Sequence, residues 1–157
     1  MTQQDAFHPD LSSGTSDERR RSLRTRVQHV RGQDLDSGTA QTDGMRRLAA
    51  ISGELVGSDA IWMGETHVAP GTASGNHHHG DSETAIHVVS GHPAFVFHDG
   101  TDEVRISAEP GDYVFVPPHV PHREENPDPA EPAVVVIARS TQEAVVVNLP
   151  ELYPLEP

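Results

Sequence analysis

From residue 26 onward the apolar residues come in short, alternating runs, each cut off by Gly, Pro, Asp or Asn, and none continues at helical spacing for long. A chain punctuated in this way folds as many short strands joined by turns, in a sandwich or a barrel. Strands are expected over 26–31, 45–51, 60–68, 84–90, 93–98, 103–107, 112–116, 133–139 and 143–149. His98-Asp99-Gly100-Thr101 reads as a hairpin turn, because Asp-Gly accepts positive φ, and Glu109-Pro110-Gly111-Asp112 reads as a second tight turn. Pro117, Pro118 and Pro121 forbid a continuous ladder after Val116, so His122 should open a new segment. The Pro-rich stretch 126–132 is expected to be a loop, and the segment from Pro150 to pack on or swap with a neighbour.

A length of 157 residues suffices for one domain with a short appendage and for a core without disulfides. Residues 1–25 are too polar to order themselves and read as a flexible N-terminal tail; residues 26–157 read as the barrel domain. There is no cysteine, which removes disulfides, iron–sulfur clusters, thiolate zinc sites and a cysteine nucleophile. All 11 basic residues are arginine, so Schiff-base lysines, pyridoxal phosphate anchoring and a P-loop are excluded too.

The net charge of −13 is unevenly spread: residues 1–31 hold six arginines and four acids, and the rest holds five arginines against 20 acids, close to −15. Phosphate neutralisation needs a basic surface, so no nucleic-acid partner is expected. The one basic arm, Arg19 to Arg26, is expected to be solvated. No stretch approaches the ~18 apolar residues of a membrane span, and the N-terminus lacks the apolar core of a signal peptide. A soluble, cytoplasmic protein with no membrane partner is therefore expected.

The segment Gly71-Thr-Ala-Ser-Gly-Asn-His77-His78-His79-Gly-Asp-Ser-Glu83 carries the chemistry. Residues two apart on a strand share a face, so His77 and His79 can converge on one ion while His78 points away. Glu83, after a Gly-Asp-Ser bend, can lean back from the next strand, and His122 supplies a fourth donor. Three imidazoles and one carboxylate suit a divalent transition ion and leave positions open for a substrate. Zinc and iron(II) head the candidates, with manganese or nickel also fitting.

These residues identify a resemblance to the cupins, whose fold is a double-stranded β-helix, an all-β jelly-roll barrel with a metal site in its mouth. Gly71, His77, His79 and Glu83 match the first cupin motif in full, with the closing glycine at Gly91, one position late. Gly111, Pro117, His122 and Asn126 match the second, with His119 where the family has glycine. His119 must then be left-handed or belong to a different turn, and the extra residue before Gly91 reads as a bulge. The chain resembles small, single-domain bacterial cupins and is similar to the cupin portion of hydrazine synthetases. The resemblance implies His77, His79, Glu83 and His122 as metal ligands, and a homodimer paired through edge strands.

Other residues divide between pocket and surface. His87 lines the cavity if it shares Glu83's face with no bulge between, and proton transfer is its expected role. Glu65 and His67 share a face of the preceding strand. Trp62, Phe95, Phe97, Tyr113 and Phe115 are expected to fill the core, since aromatics are scarce in this chain. One of Arg46 and Arg47 must face inward and could clamp a substrate carboxylate, but surface placement is the expectation for both.

The leading function is a metal-dependent enzyme acting on a small polar metabolite: a dioxygenase with iron, or with zinc a Lewis-acid rearrangement such as N–N bond formation. The competing class is a non-catalytic metal- or small-ligand-binding protein or sensor.

Overall fold

The computed structural model describes residues 16–142 and 144–156. Two antiparallel sheets face each other. One has the order β1 (Met45–Ile51), β2 (Trp62–Val68), β10 (Ala133–Arg139), β5 (Thr84–Ser90) and β8 (Tyr113–Val116). The other runs β11 (Val147–Asn148), β4 (His77–His78), β9 (His122–Asn126), β6 (Ala94–His98) and β7 (Glu103–Ser107), with β3 (Thr72–Ala73) also paired to β9. This is the jelly roll expected from the sequence.

Alternation decides what each strand contributes. In β2, Trp62, Gly64, Thr66 and Val68 are buried between more exposed neighbours, and in β10 Ala133, Val135, Ile137 and Arg139 repeat the pattern. Ala49, Trp62, Ile86, Val88, Phe95, Ala108, Val116, Val135 and Ile137 form the main core. Gly64 makes room for the indole: a Cβ there would lie 2.2 Å from the Leu48 carbonyl oxygen and 2.8 Å from the Trp62 ring.

Turn chemistry follows the sequence at both sites. Gly100 has φ 107° and Gly111 φ 99°, and Asp99 Oδ1 accepts from the amides of Thr101 and Asp102 at 2.8 and 3.0 Å. The extra residue before Gly91 is absorbed where β5 meets β10: Val135 pairs with Val88 and Val134 with Ser90, which leaves Val89 unmatched. His119 is left-handed, at φ 63°, and its amide bonds the Gly80 carbonyl at 2.8 Å.

Several expectations are corrected. Residues 26–31 form no strand; a single 3₁₀ turn follows at Gly32–Asp34. Part of the expected tail is helical: α1 (Ser16–Leu23) opens on Asp17 and Glu18, which suits its N-terminal dipole. It ends on buried Leu23, and Arg24 pairs with Asp59. The tail reading of residues 1–15 lies outside the described residues. Tyr113 and Phe115 are 79% and 58% exposed on the outer face, not in the core. Among the described residues, no helix is long and apolar enough to cross a membrane.

Candidate metal centre

His77 lies on β4 and pairs directly with His122, the first residue of β9. His79 follows two residues after His77, and Glu124 two residues after His122, so all four side chains reach the barrel interior by strand alternation. One ligand atom from each of His77, His79, His122 and Glu124 lies within 4.8 Å of all the others. The three histidines are buried and the Glu124 side chain is only 13% exposed.

Each imidazole is fixed through Nδ1 to a backbone carbonyl. His77 Nδ1 donates to Gly75 at 2.8 Å, His79 Nδ1 to Val145 at 3.0 Å and His122 Nδ1 to Val120 at 2.9 Å. A proton held on Nδ1 leaves the Nε2 lone pair free, which is the tautomer a metal requires. His122 Nε2 is buried and has no hydrogen-bond partner, a costly arrangement for a polar atom unless something else binds it.

The electrostatics agree. Burial, with the neighbouring His122 and His77, pushes His79 down to about 4. His122 is also lowered, first by burial. Burial alone would raise Glu124, but the imidazoles and Arg47 outweigh it and hold the carboxyl below its usual range. His79 and His122 are thus held toward the neutral imidazole and Glu124 toward the carboxylate, the forms in which these groups bind a metal ion.

The sequence placed Glu83 in this set, and the structure does not. Glu83 is exposed, one residue before β5; its amide donates to Ser140 Oγ at 3.0 Å and its carbonyl accepts from the Ser140 amide at 3.1 Å. On β5 the even-numbered residues face inward, so Thr84 points into the interior and Glu83 out. Glu124 supplies the carboxylate instead, and alternation from His122 reveals it only once that segment is known to be a strand.

His87 does share Glu83's face, but that face is the outer one. It stacks on Tyr113 with ring centroids 4.5 Å apart and lies across the sheet from the histidine group, which corrects its expected pocket role. Glu65 and His67 bond each other at 3.0 Å and are half exposed. Asn126 takes no part in the donor set; its buried amide ties the carbonyls of Val68, Ala69 and Glu131 at 3.2, 3.3 and 2.9 Å.

A family model described as Cupin domain matches residues 64–139, a span holding all four donors. The chain carries a cupin domain over that span. Among solved structures this cupin is similar to the polyketide cyclase RemF from Streptomyces resistomycificus, at 20% identity and a TM-score of 0.65 over 79% of this chain and 86% of that one. It is also similar to an oxalate oxidase in complex with glycolate, at 18% identity and a TM-score of 0.59 over 72% of this chain and 59% of that one. A third is a Bacillus subtilis oxalate decarboxylase with Mn(II) centres, at 24% identity and a TM-score of 0.59 over 69% of this chain and 29% of that one. At these identities the likeness is one of fold, and the cupin spans less than two thirds of either oxalate enzyme. No curated protein gives a match.

A cavity of about 390 Å³ borders the donor group, lined by His77, His79, Glu124, Thr84, Arg47 and Arg139 among others. Ala144, Val146 and Asn148 wall one side of it. The cupin thus offers a donor set suited to a divalent metal, bordering a chamber of substrate size.

Proposed function

We propose that this cupin is a metal-dependent enzyme acting on a small polar metabolite, with one divalent transition ion held by His77, His79, His122 and Glu124. The observation that carries the reading is His122 Nε2, buried without a hydrogen-bond partner, 4.0 Å from Glu124 Oε1, inside a group whose other imidazoles are already locked by their Nδ1 hydrogen bonds. The Mn(II) centres of the fold-related oxalate decarboxylase support a divalent ion.

When bound, such an ion supplies Lewis acidity, with zinc, or redox chemistry as well, with iron or manganese. The chain's own residues do the rest. Carbonyls of Gly75, Val120 and Val145 hold the Nδ1 protons and fix ring orientation. Glu124 offsets part of the ionic charge, and the walls of the cavity reduce access of bulk water to bound substrate. A purely structural site would close around its ion; this donor group borders a chamber instead. That supports catalysis over a structural role.

Elemental analysis of untagged protein tests the reading, compared with the His77→Ala, His79→Ala double variant. Close to one metal per chain is expected in the wild type, with loss in the variant. Iron would direct assays to oxygen consumption and zinc to non-redox rearrangement. A wild type that holds no metal and takes up none on titration would defeat the proposal in favour of a binding role.

A further inference from the structure

We infer that the cavity beside the histidine group binds an acidic metabolite by its carboxylate, with Arg139 as the anchor and Arg47 and Thr84 completing the subsite. This deepens the metal-dependent reading above and rests on it for the substrate's second point of attachment.

Arg139 closes β10 and is 7% exposed. Its guanidinium carbon lies 4.5 Å from the centre of the Trp62 ring. Among the described residues it has no hydrogen-bond or ion-pair partner. A guanidinium carries five N–H donors and no acceptor, and burying one whose donors are unpaired is costly. The strain is visible in its ionisation: burial first, then Arg47, push it down to about 10, against the opposing pull of Glu124. Packing alone would be served at lower cost by an apolar side chain of similar size. Trp62 covers one face of the guanidinium, which favours recognition along its planar edge, where a carboxylate binds in bidentate fashion.

Two further groups point to the same ligand. Thr84 pairs with Arg139 across β5 and β10, lines the cavity, and buries an Oγ1 with no partner. Arg47 lines the cavity from β1 and is held by Thr42 Oγ1 at 2.8 Å and the Ala40 carbonyl at 3.4 Å. The chamber therefore fixes two guanidinium groups against one carboxylate, Glu124, which belongs to the metal donor set. An anion is the ligand that such a chamber lacks.

Calorimetric titration of the full-length protein tests this, in chelator-stripped and metal-reconstituted forms, with malonate, its neutral diamide and inorganic phosphate as probes. Metal-loaded wild type should bind malonate at least tenfold more tightly than the diamide. Arg139→Gln should weaken malonate at least tenfold with metal content unchanged, and Arg139→Lys should recover part of the loss. In the stripped protein malonate should bind less tightly, still in an Arg139-dependent way. If no metal is ever taken up, the metal reading fails, while Arg139 dependence in the stripped protein still decides the carboxylate. Equal malonate affinity in wild type and Arg139→Gln would overturn the inference, as would equal binding of the diamide or preference for phosphate. Should Arg139→Gln fail to fold, Arg139→Lys and Arg47→Gln carry the same comparison, and unchanged affinity in both would count against it.

Discussion

Glu83 and Thr84 differ by one step along a strand, and that step decides which carboxylate meets the histidines. The bend Gly80–Ser82 resets the alternation, so the spacing from His79 to Glu83 carries no information about phase, and the inward position falls to Thr84. Two substitutions separate the cases. Glu83→Gln should leave metal affinity unchanged, and Glu124→Gln should lower it at least tenfold, as judged by competition with a chromophoric chelator. His77 and His79 were legible because i, i+2 spacing survives any strand assignment, and His122 through its place in the second cupin motif. The same rule relates His122 to Glu124, but it applies only once that segment is known to be a strand. Arg139 was not legible: a single cation at the end of a Val-rich strand looks like a strand terminus, and only the fold turns it inward over Trp62.

At the scale of elements, hydrophobic alternation located β1, β2, β5, β6, β7, β8 and β10 to within a residue or two, because each buries an apolar face. It could not locate β9, whose sequence His-Arg-Glu-Glu-Asn has no apolar residue. There the inward face is built from His122, Glu124 and Asn126, while Arg123 and Glu125 face out and pair with each other at 2.7 Å. A strand that carries a site is thus hidden by the very residues that make the site. The C-terminal segment, short as a strand, has a role in the centre: Val145 holds His79, Leu149 donates its amide to the Asn76 carbonyl, and β11 pairs with β4. Truncation after Ala144 should weaken metal binding by about 10–100-fold although every donor remains, since support of a ligand's second nitrogen carries that weight; chelator competition measures it. Gly64→Ala should destabilise the fold by about 1–3 kcal/mol in urea denaturation, because its methyl would collide with the Leu48 carbonyl and the indole.

At the scale of the whole molecule, the buried histidines set how stability depends on pH when no metal is bound. In the unfolded chain an imidazole takes up a proton near pH 6.5, whereas folded His79 resists until about 4 and His122 is lowered too. Between those values the unfolded state binds more protons, so stability falls as pH falls through the window. Glu124, held below its usual range, acts in the same direction at lower pH. The urea midpoint of chelator-stripped protein should drop between pH 7 and pH 5, and His79→Asn should flatten that slope.

The charge of the chain and the charge of its cavity have opposite signs. Residues 32–157 carry close to −15, while two arginines line the chamber. An incoming anion must cross a repulsive field before it reaches an attractive one, and dissolved salt acts on the two unequally: the outer field is screened over about 8–10 Å near physiological ionic strength, the buried pair much less. Adding salt should therefore speed the encounter of an acidic ligand with this cupin and leave its residence time nearly unchanged, the reverse of what an acidic ligand experiences at an exposed basic surface.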